Sequence, residues 1–522
     1  MSSGRACARR GLRALAVVIA LGSACAPSAG AASVQQWTTP GGQFVAKRDL
    51  FPRDLVDGKL VTTVVLPTGY RTRKCWPVLY LLHGSAQGVA GTSAPVSLQW
   101  LEIGDGELLH MRIPAILVLP GSGDTWWINN WWHGLRHPAF ESWILQDIVP
   151  LVTRRLHVCP GRSEHSIAGL SMGGYGAIYL ASQLPSYFGS AGSFSGVLSP
   201  QSANFLRIFP GFPTYWGPPN QFYANGHDPL ALVGNLRNTR IFVGAGNGTP
   251  TPGEDTSVMA VFEELEFAQE SASFVARARQ GGVPVTFDQH GGTHTVQTWF
   301  ASLSDMLTWN PFKHVTDNPR SWTFSTVATT GKAWGYSFAF SRYAPPKSVV
   351  QFSLARGVFR ARGAGIVKIT LPGGKSVTGA LPFDIRRGRV VELGRTPMPR
   401  LVGGYEQLTP LSVSVTQPVT GRTAPIDVSF RTTQALPANQ EYQVAIASFS
   451  PTGGASCTDT TFRRVFQPTR GRTVSVSVVP PASATVRGRW CPGLTVVGVS
   501  ALERNSRALL GNILGYTIFT MP

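Results

Sequence analysis

The stretch that decides the fold is Ser166-Ile-Ala-Gly-Leu-Ser-Met-Gly-Gly-Tyr-Gly-Ala-Ile-Tyr-Leu-Ala181. A short apolar segment precedes Ser171 and a run of small residues follows it, which predicts a strand, a sharp turn and a helix. Such a turn is crowded, so it requires small residues on either side of the serine, here Gly169 and Gly173. This is the only GxSxG match in the chain. The pattern indicates a nucleophile elbow, with Ser171 as the candidate nucleophile.

Further apolar segments alternate with helix-like segments on both sides of this elbow. The predicted strands are Leu60–Leu66, Val78–Leu82, Ala115–Leu119, Ser166–Gly169, Ser190–Ser195, Arg240–Gly244 and Val283–Phe287. Continuous apolar strands alternating with helices indicate a mostly parallel sheet that is covered on both faces. After about Asp317 the pattern changes to period-two segments rich in Thr, Ser and Val, which indicates antiparallel β structure. The predicted fold class is a doubly wound α/β hydrolase followed by an all-β, sandwich-like C-terminal region.

Length and composition indicate several folded domains. The chain has 522 residues, of which 43% are hydrophobic and 14% charged, and its Gly and Pro are scattered, which excludes collagen and wholesale disorder. After residue 31 no apolar run reaches the roughly 18 residues of a spanning helix, so no transmembrane segment is expected in the mature chain. The predicted units are a signal peptide (1–31), a catalytic domain (32–312), a β-rich domain (318–400) and an immunoglobulin-like β-sandwich (405–522).

The first 31 residues resemble an export signal. Four arginines precede the apolar stretch Leu15–Leu21, and small residues follow it as far as Ala31. This order of basic, apolar and small-residue regions is typical of a secretory signal peptide. The sequence therefore predicts a secreted, extracellular protein and leaves open whether it associates with the cell wall.

The cysteines agree with export. Cleavage would leave four of the six, Cys75, Cys159, Cys457 and Cys491. An even number in an exported protein favours disulfides, and pairing within each predicted domain gives Cys75–Cys159 and Cys457–Cys491. No CxxC pair or histidine cluster accompanies them, so the sequence predicts no metal site, and it indicates no organic cofactor.

Basic charge is concentrated in the C-terminal part. The chain has a net charge of +19, and residues 313–522 contribute 25 basic and 8 acidic side chains to it. The excess predicts binding to anionic cell-envelope polymers or lipids. A nucleic-acid partner is not expected, since the basic residues form no aromatic-basic motif in a chain that carries an export signal.

A nucleophilic serine needs a base, which in this kind of fold follows the last strand. The segment Asp288-Gln-His-Gly-Gly-Thr-His294 follows Val283–Phe287 and offers two histidines. His294 is favoured over His290 because it lies deeper in the loop, just before a predicted helix.

The acid that orients the base is expected after the strand Arg240–Gly244. Chain position alone does not select among the acidic residues there, Glu254, Asp255, Glu263 and Glu264. Two backbone amides are expected to form the oxyanion hole, those of Met172 and of Ser85 in the loop after Val78–Leu82.

Seven motifs occur in the same order as in a known family. They are Leu79-Tyr-Leu-Leu-His-Gly84, Gly169-Leu-Ser-Met-Gly173, Ser195-Gly-Val-Leu198, Trp216-Gly-Pro218, Asp228-Pro-Leu230, Gly246-Asn-Gly-Thr-Pro250, and Gly292-Thr-His294 with Trp299. Over roughly residues 60–312 the chain therefore resembles the esterase family of α/β-hydrolases, particularly the secreted mycolyltransferases of the antigen 85 group.

The resemblance implies roles for specific residues. It implies Ser171 as nucleophile, His294 as base, and the Ser85 and Met172 amides as the oxyanion hole. It places the acid at Glu263, and a shift of one residue would place it at Glu264. The implied function is a secreted serine esterase that forms an acyl-enzyme on carboxylic esters.

Two alternative functions remain open at this point. One is an acyltransferase, mycolyltransferase-like or diacylglycerol acyltransferase-like, that acts on cell-envelope lipids or sugars. The other is a non-catalytic envelope-binding protein on a hydrolase scaffold. The chain lacks the Asp and Arg that line the sugar pocket of the family, since Leu82-His-Gly-Ser-Ala86 stands there. The tryptophans of the following loop are candidates for an aromatic wall or a packing cluster, Trp126, Trp127, Trp131 and Trp132.

Overall fold

The structure is a computed structural model. It describes residues 32–39, 55–56, 59–85, 96–104, 106–123, 125–130, 139–202, 205, 215–217, 221–346, 348–392, 413–415, 421–432, 436, 440–449, 458–465, 471–480, 488–490, 493–503 and 515–521. The predicted signal peptide, the Cys457–Cys491 pair, and Trp131 and Trp132 lie outside the described residues.

A nine-stranded sheet organises the N-terminal half, in the order β1-β3-β5-β4-β6-β7-β8-β9 with β2 paired to β3. Strands β1 to β9 are Ser33–Thr39, Leu55–Val56, Lys59–Leu66, Val78–Leu82, Ile116–Pro120, His165–Leu170, Ser190–Phe194, Arg240–Gly246 and Val285–His290. The six strands from β5 to β9 in this order run parallel, and β1, β2 and β3 are antiparallel to their neighbours. The sheet is therefore mostly parallel, as the sequence predicts.

Helices cover both faces of this sheet. They are α1 (Gln99–Glu102), α2 (Glu107–His110), α3 (Phe140–Ser142), α4 (Val149–Arg155), α5 (Met172–Gln183), α6 (Phe222–Asn225), α7 (Val258–Gln280) and α8 (Val296–Trp309). Alternate side chains of β4 enter two different apolar clusters, because successive residues of a strand point to opposite faces. One cluster includes residues of α5 and α7, and the other includes residues of α1, α2 and α8. This two-sided burial explains why the central strands are continuously apolar.

The C-terminal part consists of antiparallel sheets. Strands β10 to β18 are Trp322–Thr326, Thr330–Ala333, Tyr336–Phe340, Val350–Ala355, Val358–Arg362, Ile366–Thr370, Ser376–Ala380, Phe383–Arg386 and Arg389–Glu392. They form the sheets β10-β13-β14-β17-β18 and β11-β12-β15-β16. Aromatic side chains from both sheets share one core, including Phe338 and Phe352 with ring centroids 5.0 Å apart. These strands therefore form a β-sandwich.

A second pair of antiparallel sheets follows. Strands β19 to β25 are Val413–Val415, Ile426–Arg431, Gln440–Phe449, Thr458–Val465, Thr473–Val478, Gly493–Glu503 and Gly515–Met521. They form the sheets β19-β20-β23 and β22-β21-β24-β25, which share another apolar core. The predicted domain boundaries remain predictions.

A buried arginine connects the part of the chain that forms the nine-stranded sheet, the hydrolase-like part, to the first sandwich. Arg162 is 3% exposed and donates to the carbonyl oxygens of Pro185, Phe188 and Thr316. Its guanidinium also lies 4.5 Å from the ring centroid of Trp334. Burial lowers its pKa to about 10, against an opposing effect of the nearby Asp317 carboxylate.

Hydrogen bonds reinforce this junction at the C-terminal end of α5. Asn235 donates to the Ser325 carbonyl oxygen (2.8 Å) and accepts from the Ser325 amide (2.7 Å). Thr326 donates to the side chain of Gln183, the last residue of α5 (3.1 Å). Since Ser171 precedes the first residue of this helix, the sandwich contacts the end of α5 that is remote from the nucleophile.

The predicted disulfide between Cys75 and Cys159 is present, with Cα atoms 4.8 Å apart. The two cysteines precede the neighbouring parallel strands β4 and β6. The bridge therefore lies at the N-terminal ends of these parallel strands, whereas Ser171 follows the C-terminal end of β6.

Within the described part of the chain, no helix combines the length and apolar character that a bilayer span requires.

Candidate active site

Ser171 lies in the turn between β6 and α5. Its φ of 53° and ψ of −120° are unusual for a residue with a side chain, as a strained strand-to-helix elbow requires. A Cβ atom at Gly169 would come within 2.4 Å of the Gly173 carbonyl oxygen, and one at Gly173 equally close to the Leu82 carbonyl oxygen. The two glycines of the motif are thus required by close backbone contacts around the serine.

His294 connects Ser171 to a buried carboxylate. Its Nε2 lies 3.0 Å from Ser171 Oγ, and its Nδ1 lies 3.0 Å from Glu264 Oε2. Because an ionised carboxylate can only accept, this arrangement assigns the proton to Nδ1 and leaves Nε2 to accept from the serine hydroxyl. Glu264 is fully buried, and the His294 side chain is 8% exposed. The three side chains form a hydrogen-bonded Ser-His-Glu relay, in which Glu264 is fully buried and Ser171 and His294 are partly exposed.

The carboxylate beside His294 is Glu264 and not Glu263, which the resemblance implied. Consecutive helix residues project about 100° apart, so only one of two adjacent glutamates on α7 can face His294. Glu263 is only partly buried; burial raises its carboxyl pKa, His294 opposes this effect, and Glu264 adds to it.

The two other acidic candidates lie elsewhere. Asp255 is exposed and accepts hydrogen bonds from the amide (2.7 Å) and hydroxyl (2.9 Å) of Ser257. Ser257 in turn caps α7 by accepting from the Ala260 amide. Glu254 is buried and accepts from the hydroxyls of Thr295 and Thr298. Both carboxylates therefore stabilise local structure around the His294 loop.

Ser195 anchors the second oxygen of Glu264, a contact that the sequence analysis did not anticipate. Its hydroxyl donates to Glu264 Oε1 at 2.7 Å, and the Gly246 amide donates to the same oxygen. Ser195 follows β7 at the catalytic edge, with a φ of 48° and its amide donating to the Gly244 carbonyl oxygen. One carboxylate oxygen is thus held in place while the other orients His294. The sequence signal that could have identified Ser195 is its position at the end of a predicted strand next to the strand that precedes Ser171.

We expect Ser195→Ala to lower kcat for ester hydrolysis about 10- to 100-fold, because a hydrogen bond to a charged group contributes roughly 1.5–3 kcal/mol. KM should change little, since the hydroxyl contacts Glu264 rather than the substrate. Ser193→Ala is the matched control: Ser193 lies on β7, two residues before Ser195, and its buried Oγ has no hydrogen-bond partner in the described structure. Equal kinetics of the two variants would contradict the positioning role.

The loop after β4 lies against the nucleophile. A Cβ atom at Gly84 would be 3.3 Å from Ser171 Cβ and 2.4 Å from a methyl carbon of Leu170. The Gly84 amide donates to Gln99 Oε1 (2.8 Å), and the Gln99 side-chain amide donates to the Ser85 carbonyl oxygen (3.4 Å). These contacts fix the backbone that carries Ser85. Met172 is the first residue of α5, where amides point out of the helix end.

His83 has a structural position. It is 1% exposed, and its Nε2 accepts from the Ser122 amide at 3.0 Å. Its Nδ1 donates to the Gly84 carbonyl oxygen at 2.6 Å. Both ring nitrogens therefore hold the loop rather than face a reacting group.

Trp126 and Trp127 form a packing cluster instead of an open aromatic wall. Trp126 is 8% exposed, and its ring lies 4.9 Å from that of Trp216. Trp127 is fully buried, and a Cβ atom at Gly176 on α5 would collide with its ring. Both side chains pack against α5, the helix that follows Ser171.

His290, the alternative base, does not contact Ser171. Its Nε2 lies 3.1 Å from Ser302 Oγ and its Nδ1 2.9 Å from the Gly291 carbonyl oxygen. The potential ligand atoms of His290, Asp288 and Asp305 lie within 4.8 Å of one another. Since both ring nitrogens already have protein partners, we assign no metal to this group.

Comparisons with known proteins find similarity to esterases and acyltransferases. The sequence model of the family described as "Putative esterase" matches residues 56–310. An esterase of Mycobacterium tuberculosis, "Esterase Rv1288", is 28% identical over 248 residues, which cover 44% of this chain and 51% of that protein. The "Diacylglycerol acyltransferase/mycolyltransferase Ag85A" of the same species is 29% identical over 209 residues, 36% of this chain and 61% of that protein.

Among solved structures, an S-formylglutathione hydrolase from Agrobacterium tumefaciens aligns with 55% of this chain and 96% of its own. The identity is 18% and the TM-score 0.40. The chain spans between half and two thirds of the length of the curated relatives described above. The family match covers all three residues of the Ser-His-Glu relay and strands β3 to β9 of the sheet. Residues 56–310 are therefore similar in sequence to the family described as "Putative esterase".

Proposed function

We propose that this protein is a serine esterase that hydrolyses carboxylic esters through an acyl-enzyme. The observation that carries the proposal is the continuous hydrogen-bonded relay from Ser171 through His294 to Glu264. A serine hydroxyl is a weak nucleophile unless a base takes its proton, and a buried carboxylate keeps that base in the correct tautomer.

In the first half-reaction Ser171 Oγ attacks the ester carbonyl carbon while His294 Nε2 takes the hydroxyl proton. The carbonyl oxygen becomes an oxyanion, for which the Ser85 and Met172 amides are the proposed donors. When the tetrahedral intermediate collapses, the bond to the alkoxy group breaks and the imidazolium returns its proton to the departing alcohol. Ser171 is left carrying the acyl group.

In the second half-reaction His294 removes a proton from water, which attacks the acyl carbonyl carbon. Collapse releases the carboxylic acid and returns the proton to Ser171. Glu264 is proposed to orient the imidazole and to stabilise the imidazolium of both steps. Its hydrogen bond to His294 and its anchoring by Ser195 support this role.

A burst experiment tests the acyl-enzyme. We expect mixing the mature protein with excess p-nitrophenyl ester to release about one p-nitrophenol per enzyme before the steady state, if deacylation is slower than acylation. A fluorophosphonate should abolish turnover and add its phosphonyl group to Ser171, as peptide mass spectrometry would detect. Full activity after complete treatment with the fluorophosphonate would contradict the proposal.

Acyl transfer is the second candidate, favoured by the similarity to a protein named as an acyltransferase. It shares the first half-reaction, but an acceptor hydroxyl replaces water in the second. Adding glycerol or a sugar to the ester assay distinguishes the two: transfer yields a new ester, whereas hydrolysis yields only the acid. The relay argues against the third hypothesis, a non-catalytic envelope-binding protein, because such a protein does not need a histidine hydrogen-bonded to a serine hydroxyl.

We also propose that the protein acts outside the cytoplasm. The signal-like residues 1–31 support export, as does the Cys75–Cys159 disulfide, since such bonds persist in oxidising compartments. The basic C-terminal region supports anionic cell-envelope polymers or lipids as partners of the exported protein.

A further inference from the structure

One end of the first β-sandwich concentrates positive charge. Residues 318–392 contain 12 basic and 2 acidic side chains. Two hairpins of the five-stranded sheet turn at this end, β13–β14 through Arg356-Gly357 and β17–β18 through Arg387-Gly388. Because Val358 pairs with Arg386 across β14 and β17, the two turns lie side by side.

Three further basic side chains belong to the same end. Arg386 and Arg389 flank the second turn and are direct cross-strand partners. Lys375, from the hairpin turn between β15 and β16 of the other sheet, has its Nζ 3.6 Å from where a Cβ atom of Gly388 would stand. We call Arg356, Lys375, Arg386, Arg387 and Arg389 the basic turn cluster; all five are exposed.

Turn preference does not account for the two turn arginines. Arg356 and Arg387 have φ values of 50° and 48°, and the glycines that follow them have φ values of 73° and 74°. Two positive φ values in succession are the pattern of a type I′ turn, whose first position favours Asn, Asp or Gly. An arginine there is conformationally unfavourable, so both turns hold a cation where another residue would fit better.

Electrostatics within the cluster are also unfavourable without a counter-charge. Directly opposed like charges, such as Arg386 and Arg389, destabilise a strand pair. Among the described ion pairs, the acidic partner of this cluster is Asp384, whose Oδ2 lies 3.2 Å from Arg386 Nη2. Its other oxygen, Oδ1, lies 2.7 Å from Arg362 Nη2. Burial would raise the pKa of Asp384, but hydrogen bonds from the two guanidinium groups hold it below its usual value. This carboxylate is therefore already engaged on both oxygens.

We propose that the basic turn cluster is a binding site for a linear polyanion that carries phosphate or carboxylate groups. Guanidinium groups bind both anions through paired N–H donors. Neighbouring strands lie about 4.8 Å apart and alternate residues about 6.7 Å apart, so the cations are spaced for successive charges of one polymer. The proposal gives a location to the anionic partner class proposed above, and it does not depend on esterase activity.

The test uses the full mature chain and a variant that preserves the turns. Arg356→Asn/Arg387→Asn converts both turns to Asn-Gly, the favoured type I′ sequence, so its Tm should equal or exceed that of the wild type. The control Arg71→Gln/Arg279→Gln removes the same charge from exposed arginines of the hydrolase-like part. Titration with polyphosphate, with polygalacturonate and with anionic lipid vesicles at several salt concentrations separates phosphate, carboxylate and membrane recognition.

We expect the turn variant to bind at least one polymer about 10-fold more weakly than the wild type at low salt. The slope of log K against log salt should decrease in magnitude by roughly 1 to 2, while the control changes affinity less than threefold. Equal losses in both variants, or binding only to anionic lipid vesicles, would overturn the proposal. All three proteins should hydrolyse a soluble ester equally, so failure of the esterase proposal would be detected separately.

Discussion

Ser171→Ala is expected to lower kcat/KM for p-nitrophenyl ester hydrolysis by about 10⁵- to 10⁶-fold, the loss typical of serine hydrolases without their nucleophile. Alanine removes the oxygen that forms the acyl-enzyme but keeps the Cβ atom. The Ser171 backbone has a positive φ with or without the hydroxyl, so the elbow geometry and the Tm should be nearly unchanged. Steady-state kinetics and a thermal unfolding curve check the two parts of this expectation.

A trace of another esterase in the preparation would mimic residual activity. Treatment of the variant with a fluorophosphonate resolves this, because a contaminant would be inhibited while the variant has no Ser171 hydroxyl to react. Wild-type rates in a preparation that contains no labelled contaminant would refute Ser171 as the nucleophile.

Glu264→Gln is expected to lower kcat by about 10⁴-fold, the cost reported for neutralising the triad acid where geometry is retained. Glutamine has nearly the same shape, but its amide carries no negative charge to stabilise the imidazolium. Its NH2 group can also donate to His294 Nδ1, which would favour the tautomer that cannot accept the Ser171 proton. KM for a small ester should stay within a few-fold of the wild type.

Glu263→Gln is the matched control for this experiment. The substitution is chemically identical and affects the adjacent residue of α7, whose carboxylate does not bond to His294. We expect its kcat to remain within about threefold of the wild type, since loss of a partly exposed charge near an imidazolium has a small effect. A large loss of kcat in Glu263→Gln together with a small loss in Glu264→Gln would show that Glu263, and not Glu264, is the acid.

The elbow could be predicted because its steric causes are local. Gly169 and Gly173 meet backbone atoms of each other and of the neighbouring strand β4, so small residues are required within a five-residue window. The parallel strands could be predicted for a related reason: each is buried on both faces and therefore continuously apolar. His294 could be located from chain order, since the base follows the last strand.

The acid could not be predicted because α7 does not have the usual division into apolar and charged faces. Glu264, Glu266 and Glu270 are all fully buried, whereas charged residues normally mark the exposed face of a helix. Without that contrast the sequence does not fix the helix phase to one residue. Ser195 was missed because its contact with Glu264 joins two residues 69 positions apart.

The buried guanidinium of Arg162 has a consequence for how the protein unfolds. A chain ending at residue 312 would lose the Thr316 carbonyl oxygen and the Trp334 ring, while Arg162 would keep its charge and its carbonyl partners Pro185 and Phe188. A buried charge that loses acceptors costs several kcal/mol, a large fraction of the stability of most domains. We therefore expect the first sandwich and the part of the chain that contains the nucleophile to melt in a single transition rather than in sequence.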